Sequence, residues 1–119
     1  MARLAIAPSV ITRTGVTQPA QTVGQVDGHK IANNGYVVIE VNNIHATLAR
    51  NVIVQTPGTV DGLAIADLTI SVAALAIIML GPFPPSYYNQ VASDLGSIYV
   101  DEHAGSETDI KLRVYQISP

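Results

Sequence analysis

The residues able to do acid–base, nucleophilic or metal chemistry in this chain are few and scattered. Three histidines, His29, His45 and His103, each stand beside a turn signal. No His-x-His or His-x-x-x-His pair sets two imidazoles on one rigid element, as a zinc site would want. They read as exposed loop histidines. None of the seven serines lies in a Gly-x-Ser-x-Gly elbow, so a small hydrolase is a distant reading. The absence of cysteine removes disulfides, thiolate catalysis and Cys-ligated zinc or iron–sulfur sites. The carboxylates sit mostly at strand ends and turns. The densest run, Asp101, Glu102, Glu107 and Asp109, lacks the Asp-x-Asp-x-Asp-Gly order of a calcium loop and reads as a solvated turn. No glycine string cradles a phosphate. No catalytic residue, cofactor or metal is expected.

One local concentration remains, the aromatic group Phe83, Tyr87 and Tyr88 around the proline run Pro82–Pro85. Aromatics on a rigid loop can stack on a sugar ring or anchor a protein partner. The plainer alternative is that Phe83 plugs one end of the fold and the tyrosines cover it.

The elements that must position these residues follow from composition and pattern. Fourteen Val, thirteen Ile and nine Thr among 119 residues favour pleated sheet over helix. The chain is 48% hydrophobic and 13% charged, the latter about half the usual share, with a net charge of −3. Disorder is excluded, and with no Lys/Arg cluster neither nucleic acid nor an anionic membrane is an expected partner. Sparse charge on a small domain with much surface points to a face covered by other protein. Met1–Ser9 has too short an apolar stretch for a secretory signal. The apolar Leu63–Leu80 stretch is interrupted by Asp67, Thr69 and Ser71 and closed by Gly81-Pro82, so it reads as core strands.

Residues 1–28, punctuated by Pro8, Gly15, Pro19, Gly24 and Gly28, read as an extended N-terminal arm with short strands at Val10–Arg13 and Thr22–Val26. It must lie along the rest of the domain or along a neighbour. Residues 29–119 carry the strand schedule. Tyr36–Asn42, Leu48–Thr56, Leu68–Val72, Ala76–Leu80, Ser97–Glu102 and Asp109–Ile117 alternate or run apolar between turn signals. Val60–Asp67 reads as a connection rich in small residues. A reversal near Ala73-Ala74 predicts a β-hairpin, although the alanines also permit a helix. Gly81–Pro85 must be a rigid crossing, because three prolines in four positions remove ladder donors. The schedule is that of an all-β, single-domain β-sandwich or jelly-roll-like fold.

Several strings carry a resemblance: Thr56-Pro-Gly-Thr-Val-Asp-Gly-Leu-Ala-Ile-Ala-Asp67, Leu-Thr-Ile-Ser-Val72, Leu80-Gly-Pro-Phe-Pro-Pro85, Tyr88-Asn-Gln90 and Ile98-Tyr-Val-Asp101. Across Gly35–Ile117 the chain resembles small structural proteins of tailed-phage heads, the capsid decoration or cement proteins. The chain departs from their pattern at Ala73–Ala76, where related sequences tend to carry a Pro/Gly turn. The resemblance implies a sandwich bound to the outside of an icosahedral shell, often as a trimer, with an arm reaching a neighbour or the shell. It makes the major capsid protein and further copies of this chain the expected partners, and the capsid surface of the virion the expected location. The residues expected at such interfaces are Leu4, Ile6, Val10 and Ile11 of the arm, with Phe83, Tyr87 and Tyr88. A head–tail connector or tail-associated subunit, and a carbohydrate-binding module using Phe83, Tyr87 and Tyr88 as its platform, are the alternatives.

Overall fold

Alternation along two strands sets the architecture. Val37, Ile39 and Val41 share one parity and Val38, Glu40 and Asn42 the other, and in β5 (Val37–Asn43) the first set is fully buried. Ile110, Leu112 and Val114 do the same in β12 (Ile110–Ile117). The two strands pair antiparallel from Ile110↔Asn43 to Gln116↔Val37. The computed structural model describes residues 3–91 and 93–117. In it β10 (Ile77–Leu80) flanks β5, while β2 (Ser9–Ile11) and β3 (Thr22–Val23) lie on the far side of β12. The facing sheet runs β1 (Leu4–Ile6), β4 (His29–Ala32), β11 (Ser97–Glu102), β6 (Arg50–Val54) and β9 (Leu68–Val72) in that order. The apolar parities of both sheets meet in one core, and Phe83 joins it from the proline crossing. The molecule is an all-β sandwich.

Both lateral sides are closed by chain that changes sheets. On one side β1 lies parallel to β4 and, after Ala7-Pro8, β2 lies parallel to β12. The N-terminal segment therefore rests on its own domain. Further along, Gly24 donates its N–H to the Ile110 carbonyl at 2.8 Å, and a Cβ there would come within 2.1 Å of the Glu107 carbonyl oxygen. Only glycine allows so close an approach.

On the other side, β9 and β10 correct the expected hairpin. They do not pair: β9 borders β6 and β10 borders β5, so Ala73–Ala76 is a corner between sheets. Its cause is Asn43, fully buried at the end of β5. Its Nδ2 lies 3.0 Å from the carbonyls of Leu48 and Val72 and 3.3 Å from that of Ala73, while its Oδ1 accepts the His45 N–H. The side chain thus satisfies the carbonyls that a turn between sheets leaves unpaired. The segment read as a plain connection holds a small hairpin, β7 (Thr59–Val60) with β8 (Leu63–Ala64). Asp61 and Gly62 take φ of 52° and 79°, the two positive values that a type I′ turn needs.

Candidate functional site

The outward face of the β1–β9 sheet is polar and closed on itself. Arg3 bonds Asp101 at 2.7 Å and lies 4.1 Å over the Tyr99 ring. Gln55 donates to the other Asp101 oxygen at 2.7 Å, and Asp94 takes the Tyr99 hydroxyl and the Lys30 ammonium. Each charge here has its counterpart. The Tyr99 hydrogen bond, with Lys30 behind it, holds the Asp94 carboxyl below its ordinary value of 3.8. The same bond raises the Tyr99 phenol above 10.0. A carboxyl depressed in the folded state stabilises it above the unfolded value and loses that contribution as pH falls through the folded one. The Asp94 clamp is thus intact above about pH 3.8 and opens only in stronger acid. Tyr99→Phe removes the main cause, so an NMR titration of the Asp94 carboxyl should show a higher midpoint in the variant than in the parent. An unchanged midpoint would remove the hydroxyl from this role.

The side formed by β9, the Ala73–Ala76 corner and β10 has the opposite character. From Leu68 to Ser93 the chain carries no Asp, Glu, Lys, Arg or His. This stretch includes the edge strands β9 and β10, the proline crossing and a one-turn helix, α1 (Pro85–Tyr88). Leu75, Ile77 and Met79 are 66%, 58% and 56% exposed, and Tyr87 is also exposed. Leu75 holds a φ of 60°, a left-handed value that costs a leucine about 1–3 kcal/mol. β10 is a sheet edge with free backbone groups, and its exposed side chains are apolar. It has none of the charges, prolines or bulges that usually protect an edge.

A groove of about 490 Å³ opens beside β9, between Tyr87 and Tyr88 on one wall and Ile65–Thr69 on the other. Its one carboxylate, Asp67, is taken by the N–H of Thr56 at 3.0 Å, and the Thr56 hydroxyl lies 2.9 Å from the carbonyls of Ile65 and Ala66. The groove offers apolar walls and phenol rings, with no nucleophile set against a base.

The residues expected at an interface are divided by this arrangement. Tyr87 and Tyr88 line the groove together. Phe83, only 2% exposed, packs edge-to-face on Tyr88 with ring centroids 5.3 Å apart, so its ring is core and not contact surface. Leu4, Val10 and Ile11 are exposed and Ile6 packs against the core, all on the opposite lateral side. Arm and tyrosines do not form one patch.

Two expectations from the sequence are overturned. His29 is not a loop histidine: it points inward from β4 and is completely buried. Glu102 is not part of a solvated turn. It points inward from the end of β11, and its carboxylate lies 2.9 Å from His29 Nε2 with both side chains fully buried. That approach is close enough for an ion pair but is not aligned as a hydrogen bond, so Nε2 and both carboxylate oxygens lack hydrogen-bond partners. His29 Nδ1 lies 3.2 Å from the Leu4 carbonyl, which can only accept, so Nδ1 carries a hydrogen. His45 and His103 are partly exposed and accept backbone N–H groups at Nδ1. The signal for His29 and Glu102 was strand parity: His29 shares it with Ile31, and Glu102 with Ile98 and Val100.

Fold and site together define an all-β sandwich with one side poor in charge, where Asp67 is the groove's single carboxylate. Compared with known proteins, the chain matches no family model, no curated protein and no solved structure. Among the described residues no three of His, Cys, Asp and Glu come together as a metal site would need, and no helix is long and apolar enough to cross a membrane.

Proposed function

We propose that this chain is a non-enzymatic structural subunit of a phage head, a decoration-type protein that binds the outside of the assembled shell and reinforces it. The observation that carries this reading is the charge-poor side: an unprotected apolar edge strand and an exposed leucine at a strained corner, both in the uncharged Leu68–Ser93 stretch, beside a tyrosine-walled groove whose one carboxylate is Asp67. Water gains nothing from such a surface, while a protein partner gains both apolar burial and a strand to pair with. Many copies on one closed lattice would each reinforce the same cooperative shell, even where a single contact is weak. A carbohydrate platform is the weaker reading, since Phe83 is buried and only two rings remain in the groove.

Co-sedimentation with assembled shells of a phage major capsid protein tests the proposal. The parent chain should pellet with shells in large numbers, whereas about six or twelve copies, as in a closed ring, would favour a connector. Ile77→Lys combined with Met79→Lys places two charges on the exposed edge without touching the core. It should lower shell binding by at least about tenfold with the thermal midpoint nearly unchanged. A parent chain that never pellets, or a variant that pellets equally well, would overturn the proposal.

A further inference from the structure

The unpaired edge of β10 has a hydrogen-bonding pattern that selects its partner. β10 runs antiparallel to β5, with Ile77 opposite Asn42 and Leu80 opposite Ile39. Along such a ladder, pairs that exchange both backbone bonds alternate with pairs that exchange none. The Asn43 N–H bonds the Ala76 carbonyl at 3.0 Å, so Ala76 begins the bonded series, and Ile78 and Leu80 continue it. Ile77 and Met79 therefore turn their N–H and C=O groups away from β5. Among the described residues nothing pairs with those groups.

The pattern is symmetric about Ile78. A second β10 laid antiparallel, Ile78 opposite Ile78, puts Ile77 of each copy opposite Met79 of the other, and both of these pairs can exchange N–H···O bonds. Residues directly opposite share a face. Exposed Ile77 then meets exposed Met79 on the outer surface, while Ile78 meets its own copy on the core side. Leu75 comes level with Gly81, which has no side chain to exclude it. A slip of one residue sets the open groups against Ile78 or Leu80, whose own are already used by β5. Moving the two-fold axis to Ile77 or to Met79 recruits Leu75 or Gly81 as a strand residue, and their φ of 60° and 125° lie outside the β region.

Charge points to the same occupant. Across a two-fold contact the same patch faces itself, so a charge within it would meet its own kind. The chain carries a net charge of −3, yet residues 68–93 carry none, and Glu40, opposite Met79 on β5, is neutralised by Arg113 at 2.6 Å. A second copy approaches along this edge without repulsion. An unrelated protein would be selected by charged side chains, which β10 does not offer. β9, the edge strand of the facing sheet, exposes Thr69 and Ser71 instead.

We propose that β10 is a self-pairing edge, through which two copies of this chain join antiparallel about Ile78 into one continuous sheet. The pair closes on itself, because each copy has one β10. One short strand buries less than the roughly 1,200 Å² of a stable interface, so the contact is weak in dilute solution and strengthens where copies are held side by side. The pairing takes from the reading above only that this side is a contact surface, and its test contains no shell, so the two can fail separately.

Sedimentation equilibrium of the full chain should show a mass rising from 12.5 kDa toward twice that value, with a midpoint between about 1 μM and about 1 mM. Over the same range, hydrogen exchange should slow at the Ile77 and Met79 amides and stay unchanged at Ile78, which already bonds β5. Single cysteines read the register, since the chain has none of its own. Ile78→Cys places the two Cα atoms about 4.5 Å apart across the axis, within disulfide reach, whereas Ile77→Cys places them about 7–8 Å apart on the diagonal. Under mild oxidation the Ile78→Cys variant should form covalent dimers at least about tenfold faster, although position 77 is the more exposed and random collision would give the reverse order. If either variant fails to fold, the mass and exchange of the parent chain decide. A mass of one chain throughout, a mass of three chains, exchange at Ile77 and Met79 that ignores concentration, or faster cross-linking at position 77 would overturn the proposal.

Discussion

Phe83→Ala should lower the stability of this domain by about 3–5 kcal/mol, a large share of the roughly 5–15 kcal/mol that holds a typical domain together. The ring is 2% exposed and is the only phenylalanine in the chain. It fills the core from a crossing whose prolines restrict how far the backbone can follow a shrinking side chain. Truncation therefore leaves a void instead of a collapse, and Tyr88 loses the ring it packs against edge-on. Urea denaturation should show a lower midpoint with the slope unchanged. A loss below about 1 kcal/mol would mean that the crossing relaxes into the space.

Asn43→Ala should cost about 2–4 kcal/mol for a different reason. No large volume is lost, but the carbonyls of Leu48, Val72 and Ala73 and the N–H of His45 lose their partner together in a buried corner. Each buried polar group left unpaired costs about 1–3 kcal/mol, less where water can enter. Asn43→Asp is the sharper test, since a carboxylate keeps the shape yet can only accept, and would set its oxygens against three carbonyls. Both variants should lose amide protection first at Ala76, whose N–H bonds Ala73 across the corner. Protection lost uniformly across the domain would argue against a local role for Asn43.

Much of the sandwich was readable because a strand with one buried face repeats every two residues. β11 runs Ser97–Glu102, as expected, and the inward sets of β5, β9 and β12 follow the parity of their apolar residues. What parity cannot tell is which strands pair. The β9–β10 corner looked like a hairpin because the signals for reversing the chain are the same whether the next strand joins the same sheet or the facing one. The deciding residue, Asn43, lies about thirty positions away. β1 was missed because three residues are too few to show a period. The β7–β8 hairpin carried an Asp-Gly signal, but its flanking strands are only two residues long. In the candidate site the tyrosine pair was visible as a local cluster. His29 and Glu102 were not, because a polar residue at a strand end is usually solvated, and only its parity with Ile31 or Val100 argues otherwise.

The parallel seat of β2 on β12 governs how the molecule carries load. Ser9, Val10 and Ile11 lie against Tyr115, Gln116 and Ile117 with both strands running the same way. A pull applied between the leading end of β2 and the trailing end of β12 draws the two past each other lengthwise. Their cross-links then share the force and must rupture together, instead of unzipping one at a time. The domain resists stretching along its own chain as a lap joint does, in shear.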